Sequence, residues 1–365
     1  MKNKAISIIC MNGYYHNKKN STFSPVFRTL DDIKLGFYSM RKSSKKPRMR
    51  RKLLFIFISL SIGITVYSQQ LPLLTQYMFI NMAFNPGYTG SNEGICVTGL
   101  ARQQWIGFKD GDGNSVAPQT FFVTIDAPLK FLHGGLGGSI MQDKLGPFST
   151  IQVKLDYAYR MDLGPGTLGI GGEVLFQNTN LDYSTFKGKF IDIGDPLLTA
   201  SDKQSDLVID CSIGGYYKVP DKYYIGFSAL QLLQTKQKRN NYKLRRTYAL
   251  TGGYNWPVPN YPGFEIQPHA LIMYDGAAIQ GNIDAILMYN KKIWGGLGYR
   301  YQDGVASIPV IIGFAIWNFH IGISYDIGTS GTGFNNNGSI EALLNYCFKI
   351  ETEKFRKSYK NTRFL

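Results

Sequence analysis

The chain has 365 residues and a formal net charge of +15, from 40 Lys and Arg against 25 Asp and Glu. The excess is local, because residues 1–68 hold 14 of the basic residues and only 2 of the acidic ones. A nucleic-acid-binding body is therefore disfavoured. Aromatic residues make up 14%, charged residues only 18%, and glycine occurs 40 times. This composition disfavours a helical bundle or coiled coil and favours a β protein.

A targeting segment begins at Met49, where three basic residues precede an apolar stretch from Leu53 to Val66 and small residues follow at Ser68. That stretch is shorter than the roughly 20 residues that a spanning helix needs. We therefore expect residues 49–68 to be a secretory signal peptide. The alternative is a membrane anchor that stays attached. Residues 1–48 are expected to be a misassigned or non-structural upstream extension.

Strand-like alternation dominates residues 94–349. From Ile151 to Met161, apolar and polar residues alternate strictly, which predicts a strand with one apolar and one polar face. About fourteen such segments follow one another, many with 10 to 14 residues. This length matches the roughly 9–11 residues with which a tilted strand crosses a bilayer. Aromatic residues at the segment ends, among them Tyr157, Tyr216, Trp256 and Trp294, are typical of the girdles at the two water–lipid boundaries.

We therefore predict an all-β fold, a transmembrane antiparallel β-barrel of about fourteen strands in the outer membrane, with its polar alternates facing the lumen. The alternative from these residues is a secreted, soluble β protein. Residues 350–365 are predicted to be a basic C-terminal tail. Two longer polar loops, Asp182–Gln204 and Gln234–Arg245, are candidates for binding partners. The second is basic and could meet an acidic protein surface or a lipopolysaccharide phosphate, or simply be solvated.

Residues 69–93 differ from the rest, because they are apolar and aromatic without period-two alternation. Leu73, Tyr77, Ile80 and Phe84 fall at helical spacing, and Pro86 ends that helix. We predict a short helical segment that acts either as a plug of the barrel or as a periplasmic element without a gating role.

The sequence offers little that predicts catalysis or ligand chemistry. Asp110 to Asn114 begin like a calcium loop but lack its glycine and its final glutamate. No His and Ser constellation predicts a hydrolase, and no Cys and His spacing predicts zinc. Three sparse cysteines, Cys96, Cys211 and Cys347, predict no disulfide framework. We expect no enzymatic activity, no cofactor and no metal.

An ordered series of motifs resembles the PorP/SprF family of type IX secretion outer-membrane proteins. It begins with QYMFINMAFNPGYTGS and continues with RQQWIGF, APQT, DAPL, GLGGSIMQDKLGPF and DYAYRMDL. The resemblance covers most of residues 74–349. The motif residues that we consider candidates for partner contacts are Gln76, Tyr77, Asn85, Pro86, Arg102, Trp105, Asp143 and Arg160.

The resemblance implies a non-enzymatic part of the type IX machinery of Bacteroidetes. Its expected partners are outer-membrane lipid, the periplasmic ring and motor components, and secreted cargo with a C-terminal sorting domain, such as gliding adhesins. Nucleic acid is not expected as a partner. The alternative function is a passive outer-membrane transporter for apolar small molecules, since a plugged barrel of this size also fits that use.

Overall fold

The computed structural model describes residues 71–72, 74–109, 113, 116–146, 148–181, 204–237, 243–302, 304–330 and 337–349. The predicted signal peptide, the upstream extension, the basic tail, most of the calcium-like loop and residues 182–203 lie outside the described residues. The strands are β1 Gly94–Gln103, β2 Gln119–Leu129, β3 Gly134–Leu145, β4 Phe148–Leu163, β5 Gly166–Leu181, β6 Gln204–Val219, β7 Tyr223–Leu230, β8 Thr247–Tyr254, β9 Trp256–Pro257, β10 Phe264–Tyr274, β11 Ile279–Tyr289, β12 Ile293–Gln302, β13 Val305–Ile316, β14 Phe319–Gly328 and β15 Ser339–Lys349.

These strands form one closed antiparallel sheet. Strands that follow one another in sequence pair, except that β8 and β9 both pair with β10 and not with each other; β1 also pairs with β15. The short β9 continues β8 after a break at Asn255, so these two count as one strand. The barrel therefore has fourteen strands around its circumference, as the alternation predicted. Closure gives each of these fourteen positions in the sheet a partner on both sides and removes the open edges that a bilayer could not satisfy.

The two faces of the barrel differ in polarity as the alternation predicts. In β2, the outward Phe121, Val123 and Ile125 are about half exposed, whereas the intervening Thr124 and Asp126 are buried inside. The same pattern places leucine, isoleucine, valine and aromatic side chains on the outside of the other strands. An exterior of this kind is the surface expected to face lipid hydrocarbon.

Aromatic residues form a girdle near each end of the barrel, as predicted. One girdle contains the exposed rings of Tyr157, Tyr159, Tyr223, Tyr254, Trp256, Tyr289 and Trp317, and the other those of Phe148, Tyr248, Tyr274, Tyr299, Tyr301 and Tyr325. Two rings that the sequence also suggested for the girdles are instead buried inside the barrel. These are Tyr216 and Trp294, which are 1% and 2% exposed.

The connections at the two ends have different lengths. Residues 104–118, 182–203, 231–246 and 329–338 make the long connections at one end, where β2 begins. The other end has mostly tight turns, such as residues 164–165 and 317–318. Outer-membrane barrels have short periplasmic turns and longer extracellular loops, so we call the long-connection end the outer end.

One ion pair links two turns of the inner end. Lys291 Nζ lies 2.6 Å from Asp221 Oδ1, and both side chains are well exposed. The hydrogen bond from Lys291 lowers the pKa of Asp221, and the same bond raises the pKa of Lys291. Exposed pairs of this kind contribute about 0–1 kcal/mol.

A disulfide that the sparse cysteines did not predict joins the first and last strands. Cys96 of β1 and Cys347 of β15 are direct register partners with a Cα–Cα distance of 4.1 Å, and they are bonded to each other. Cys211 is a free thiol. This single bridge could not be predicted from the cysteine spacing, because the two partners lie 251 positions apart in sequence and meet only when the barrel closes.

Candidate functional site

The candidate site is built around residues 74–90, which we call the inner segment. Its side chains are almost wholly buried, with Gln76 and Tyr77 at 0% exposure. It contacts inward-facing residues of β4, β5, β6 and β7 through its last turn. The inner segment therefore occupies the interior of the barrel.

The inner segment is not one helix, contrary to the prediction from its spacing. It makes three single 3-10 turns, Tyr77–Phe79, Asn81–Ala83 and Pro86–Tyr88. Asn81 donates its side-chain amide to Met78 O at 2.9 Å, a local bond that competes with helical pairing. No helix among the described residues is long and apolar enough to cross a membrane.

Four buried charges form a cluster near the outer end of the barrel. Arg102 lies 2.7 Å from Asp326 and 3.1 Å from Glu341, and Arg300 also lies 2.7 Å from Asp326. All four side chains are at most 4% exposed. The two positive and two negative charges balance, which a buried set requires. We call these residues the ionic cluster.

The ionic cluster holds the start of the inner segment. Glu341 accepts hydrogen bonds from the backbone N–H groups of Thr75 at 2.9 Å and Gln76 at 2.8 Å. The Thr75 hydroxyl donates to Asp326 and accepts from Arg102, both at 2.9 Å. Because hydrogen bonds to charged groups contribute more than neutral ones, these contacts fix the inner segment firmly to four strands of the wall.

Further contacts hold the later turns. Lys154 Nζ is 3.1 Å from Glu173 Oε2 and 3.3 Å from Ala83 O, so one buried ion pair also contacts the inner segment. Ser228 donates its hydroxyl to Phe84 O. Arg160 reaches Thr89 O at 3.5 Å. The inner segment is thus bound to the wall along its length.

Glycines on the inner wall let the backbone of the inner segment approach closely. A Cβ on Gly171 would lie 2.3 Å from Pro86 O, and a Cβ on Gly214 would lie 2.1 Å from Asn85 Oδ1. A Cβ on Gly135 would lie 2.4 Å from the Cα of Gly90. These distances are too short for a side chain, so wall and inner segment have complementary shapes.

Adding a methyl group to the wall tests this fit. Gly214→Ala should displace Asn85 or destabilise the barrel by about 2 kcal/mol, the usual cost of overpacking. The neighbouring Gly215→Ala is the control, because nothing lies within 4 Å of a Cβ there. Denaturant unfolding of both variants in detergent measures the difference. Equal stability of the two variants would contradict the packing described here.

The predicted site residues divide into two groups. Gln76, Tyr77, Asn85 and Pro86 belong to the inner segment, and Arg102 and Arg160 contact it. Asn85 donates to Gly215 O at 2.9 Å and accepts from Gly87 N at 2.9 Å.

Trp105 and Asp143 lie elsewhere, near the outer end. Trp105 N donates to Ser339 Oγ at 3.1 Å, and Asp143 accepts from Thr120 Oγ1 at 2.6 Å. Neither makes a hydrogen bond to the inner segment among the described residues.

Sequence reasoning missed the partners of Arg102. The alternation predicts Arg300, Asp326 and Glu341 as charged residues of the inward face that can pair with each other or with a plug, but it does not predict which of them pairs with Arg102. In the folded chain they form a single cluster, because β12, β14, β15 and β1 place them at the same level along the barrel axis.

No metal site is evident among the residues that the structure describes. Within the described residues, no group of three or more His, Cys, Asp or Glu could hold a metal ion. A cavity of ≈ 30 Å³ lies above the ionic cluster and is lined partly by Arg102, Trp105 and Arg300. A second, of ≈ 20 Å³, lies beside Leu74 and Phe84. Each has room for about a water molecule.

Comparison with known protein families identifies the chain. The sequence profile described as "Type IX secretion system membrane protein PorP/SprF" matches residues 66–346. The chain belongs to the PorP/SprF family. As a closed barrel of a secretion-system membrane family, this PorP/SprF protein resides in the outer membrane. The predicted resemblance and location are confirmed.

Comparisons with curated sequences and with solved structures give weaker matches. No curated protein sequence matches this PorP/SprF chain. Among solved structures, the Ralstonia pickettii toluene transporter TbuX is 13% identical with a TM-score of 0.46, covering 74% of this chain and 93% of that one. The Acinetobacter baumannii outer membrane protein Omp33 is 11% identical, with a TM-score of 0.40 and coverages of 71% and 100%. A Pseudomonas aeruginosa FadL homologue is 10% identical, with a TM-score of 0.40 and coverages of 73% and 94%.

Proposed function

We propose that the protein is a non-enzymatic outer-membrane component of the type IX secretion system that supports export or surface anchoring of cargo proteins. Membership of the PorP/SprF family supports this role. In the proposal, cargo with a C-terminal sorting domain, such as a gliding adhesin, binds at the outer loops. The short-turn end contacts the periplasmic ring and motor components.

The observation that carries the proposal is the buried position of the inner segment inside the barrel. Glu341 binds the backbone of Thr75 and Gln76, and the wall glycines fit the backbone around Pro86. We propose that the inner segment is a permanent plug, so that the barrel serves as a rigid support rather than as a passage.

The alternative, a passive transporter for apolar small molecules, would need more space than either of the two cavities found among the described residues provides. The apolar cavity beside Leu74 measures ≈ 20 Å³. An apolar cavity that binds benzene in a protein core measures about 150 Å³. A hydrocarbon would therefore have to displace the inner segment and break its buried ionic contacts.

A strain that lacks the protein tests the two functions together. We expect loss of one or a few proteins from the cell surface or the medium, measured by quantitative proteomics, while uptake of a labelled hydrocarbon stays unchanged. Complementation with the full chain should restore the surface proteins. An unchanged surface proteome with reduced hydrocarbon uptake would contradict secretion and favour transport.

A further inference from the structure

The longest connection that the structure describes at the inner end is residues 255–263, which we call the proline loop. It joins β8 to β10 and includes the short β9. Its three prolines, Pro257, Pro259 and Pro262, are exposed, and the ring of Tyr261 is 64% exposed. The proposed function requires a contact with periplasmic components at this end, and the proline loop offers the largest described connection for it.

Hydrogen bonds within the proline loop give it a defined shape. Val258 N donates to Phe264 O at 2.9 Å and so extends the pairing of β9 with β10. Tyr261 N donates to Val258 O at 3.3 Å, and Phe264 N donates to Tyr261 O at 3.2 Å, so two consecutive turns fix the position of Tyr261. The prolines restrict φ in the rest of the loop. A partner that binds the proline loop therefore has little backbone freedom to remove.

The proline loop is also joined to the turn on either side of it. At its start, Asn255 N donates to Lys222 O in the β6–β7 turn at 2.6 Å. At its end, Gly263 O accepts from Asn290 N in the β11–β12 turn at 2.7 Å. The three connections are therefore braced against one another, and they present one continuous surface at the inner end.

The two neighbouring turns give this surface a positive charge. They carry Lys222, Lys291 and Lys292 and one acidic residue, Asp221, which pairs with Lys291 across the two turns. Lys222 and Lys292 are exposed. We call the proline loop and these two turns, residues 220–222, 255–263 and 290–292, the three-turn surface. Its basic rim favours a partner with an acidic surface.

The tip of the proline loop lies on the water side of the inner girdle. Trp256 belongs to that girdle and pairs with Ile266 in the ladder of β9 and β10. The hairpin continues from Trp256 to Val258, about 7 Å further along the strand direction, and Tyr261 follows beyond Val258. Lipid hydrocarbon therefore does not account for the exposure of Tyr261. Exposed tyrosines on an ordered support are frequent centres of protein–protein contacts.

We propose that the three-turn surface docks an acidic periplasmic protein of the secretion machinery, with Tyr261 and the prolines in an aromatic-lined groove of that partner. This inference rests on the proposed function, in which the inner end contacts periplasmic components. Aromatic-lined grooves bind proline-rich segments because the proline backbone is ordered before binding. Lys222 and Lys292 lie opposite carboxylates at the rim of the groove, where charges of opposite sign orient the partner and speed its association.

Binding of the full chain in detergent to the purified periplasmic ring and motor components of the same secretion system tests this surface, with biolayer interferometry as the measurement. Tyr261→Ala should weaken binding about tenfold or more, as expected for a central aromatic contact. Tyr159→Ala is the matched control, since Tyr159 is an exposed ring of the inner girdle on β4, outside the three-turn surface. The control should bind as the wild type does. Equal affinities of the two variants would overturn the proposal.

Reversing the rim charges tests the acidic character of the partner. Lys222→Glu/Lys292→Glu should weaken binding about tenfold at low salt, and most of the salt dependence seen with the wild type should disappear. Lys109→Glu/Lys144→Glu makes the same change of charge at exposed positions of the outer end and should leave binding unchanged. If both double variants bind alike, the partner does not recognise the three-turn surface by its charge.

Photo-crosslinking in living cells tests the contact in the membrane. A photoreactive residue at position 261 should crosslink to the component that binds the purified protein, whereas one at position 165, on the exposed turn between β4 and β5, should not. Crosslinks from position 261 to phospholipid alone would overturn the proposal and assign the three-turn surface to the membrane.

The outcomes separate this inference from the proposed function. If Tyr261→Ala restores the surface proteins of the deletion strain and binds as the wild type does, the docking surface is refuted while the role in secretion stands. If the deletion strain keeps its surface proteome unchanged, the role in secretion fails, and the docking surface fails with it.

Discussion

Replacing Cys96 and Cys347 with alanine should lower the free energy of unfolding of the barrel by about 5 kcal/mol. The disulfide joins positions 251 residues apart, and in the chain-entropy account the stabilisation rises with the length of the closed loop, to about 5 kcal/mol for loops of this size. The loss should be large because the bond joins the first and last strands, the one pairing in the ring between strands distant in sequence.

Unfolding in guanidinium chloride, with and without a reductant, measures this effect in detergent. Cys211→Ala is the control, since Cys211 is a free thiol and only partly buried. That variant should change the unfolding free energy by less than about 1 kcal/mol, as expected for a small truncation away from the core. If oxidised and reduced wild-type protein unfold at the same denaturant concentration, the disulfide does not stabilise the pairing of β1 with β15.

Arg102→Leu should have the second largest effect, a loss of about 3–5 kcal/mol, because it leaves buried carboxylates without their partner. Asp326 would still form its ion pair with Arg300, but Glu341 would lose its only ion-pair partner among the described residues. We also expect the start of the inner segment to loosen, since Glu341 orders the backbone at Thr75 and Gln76. Proteolysis of the inner segment in the folded protein reports this loosening.

The exposed pair of Lys291 and Asp221 provides the matched control. Lys291→Leu removes the same charge but should cost less than about 1 kcal/mol, since both partners are exposed. Adding Glu341→Gln to Arg102→Leu should recover part of the loss, because the uncompensated charge is then gone. Equal losses for Arg102→Leu and Lys291→Leu would show that the ionic cluster does not hold the inner segment.

The strand framework could be predicted because alternation is a local property of the sequence. Ile151 to Met161 sit inside β4, which the structure extends to Phe148–Leu163. The face that each side chain occupies follows from the period of two. To predict a fourteen-stranded barrel, it was enough that each segment pairs with the next, as in a hairpin, and that the first and last strands pair.

What could not be predicted depends on register between distant strands. The pairing of Arg102 with Glu341, and of Cys96 with Cys347, is set by the register between β1 and β15. No local sequence pattern determines that register. The preference of aromatic residues for membrane boundaries predicts Tyr216 and Trp294 in the girdles. They point inward instead, where Tyr216 contacts Tyr88 and Trp294 contacts Phe79 of the inner segment.

The single-turn structure of the inner segment also depends on distant residues. The spacing of its apolar residues favours a helix. However, Glu341 accepts hydrogen bonds from the backbone N–H groups of Thr75 and Gln76, and the side chain of Asn85 donates to carbonyls of β6 and β7. These tertiary bonds determine the backbone path, so propensity alone gives the wrong local structure.

Electrical recording across a planar lipid bilayer tests most directly whether the inner segment closes the barrel. The purified wild-type protein, inserted and verified as folded, should give no ion conductance above the bare bilayer, because the ionic cluster and the wall glycines hold the inner segment in the interior. Stable, stepwise conductance by the wild type in the absence of denaturant would contradict a closed barrel, and with it the proposal that the protein acts in secretion as a rigid support.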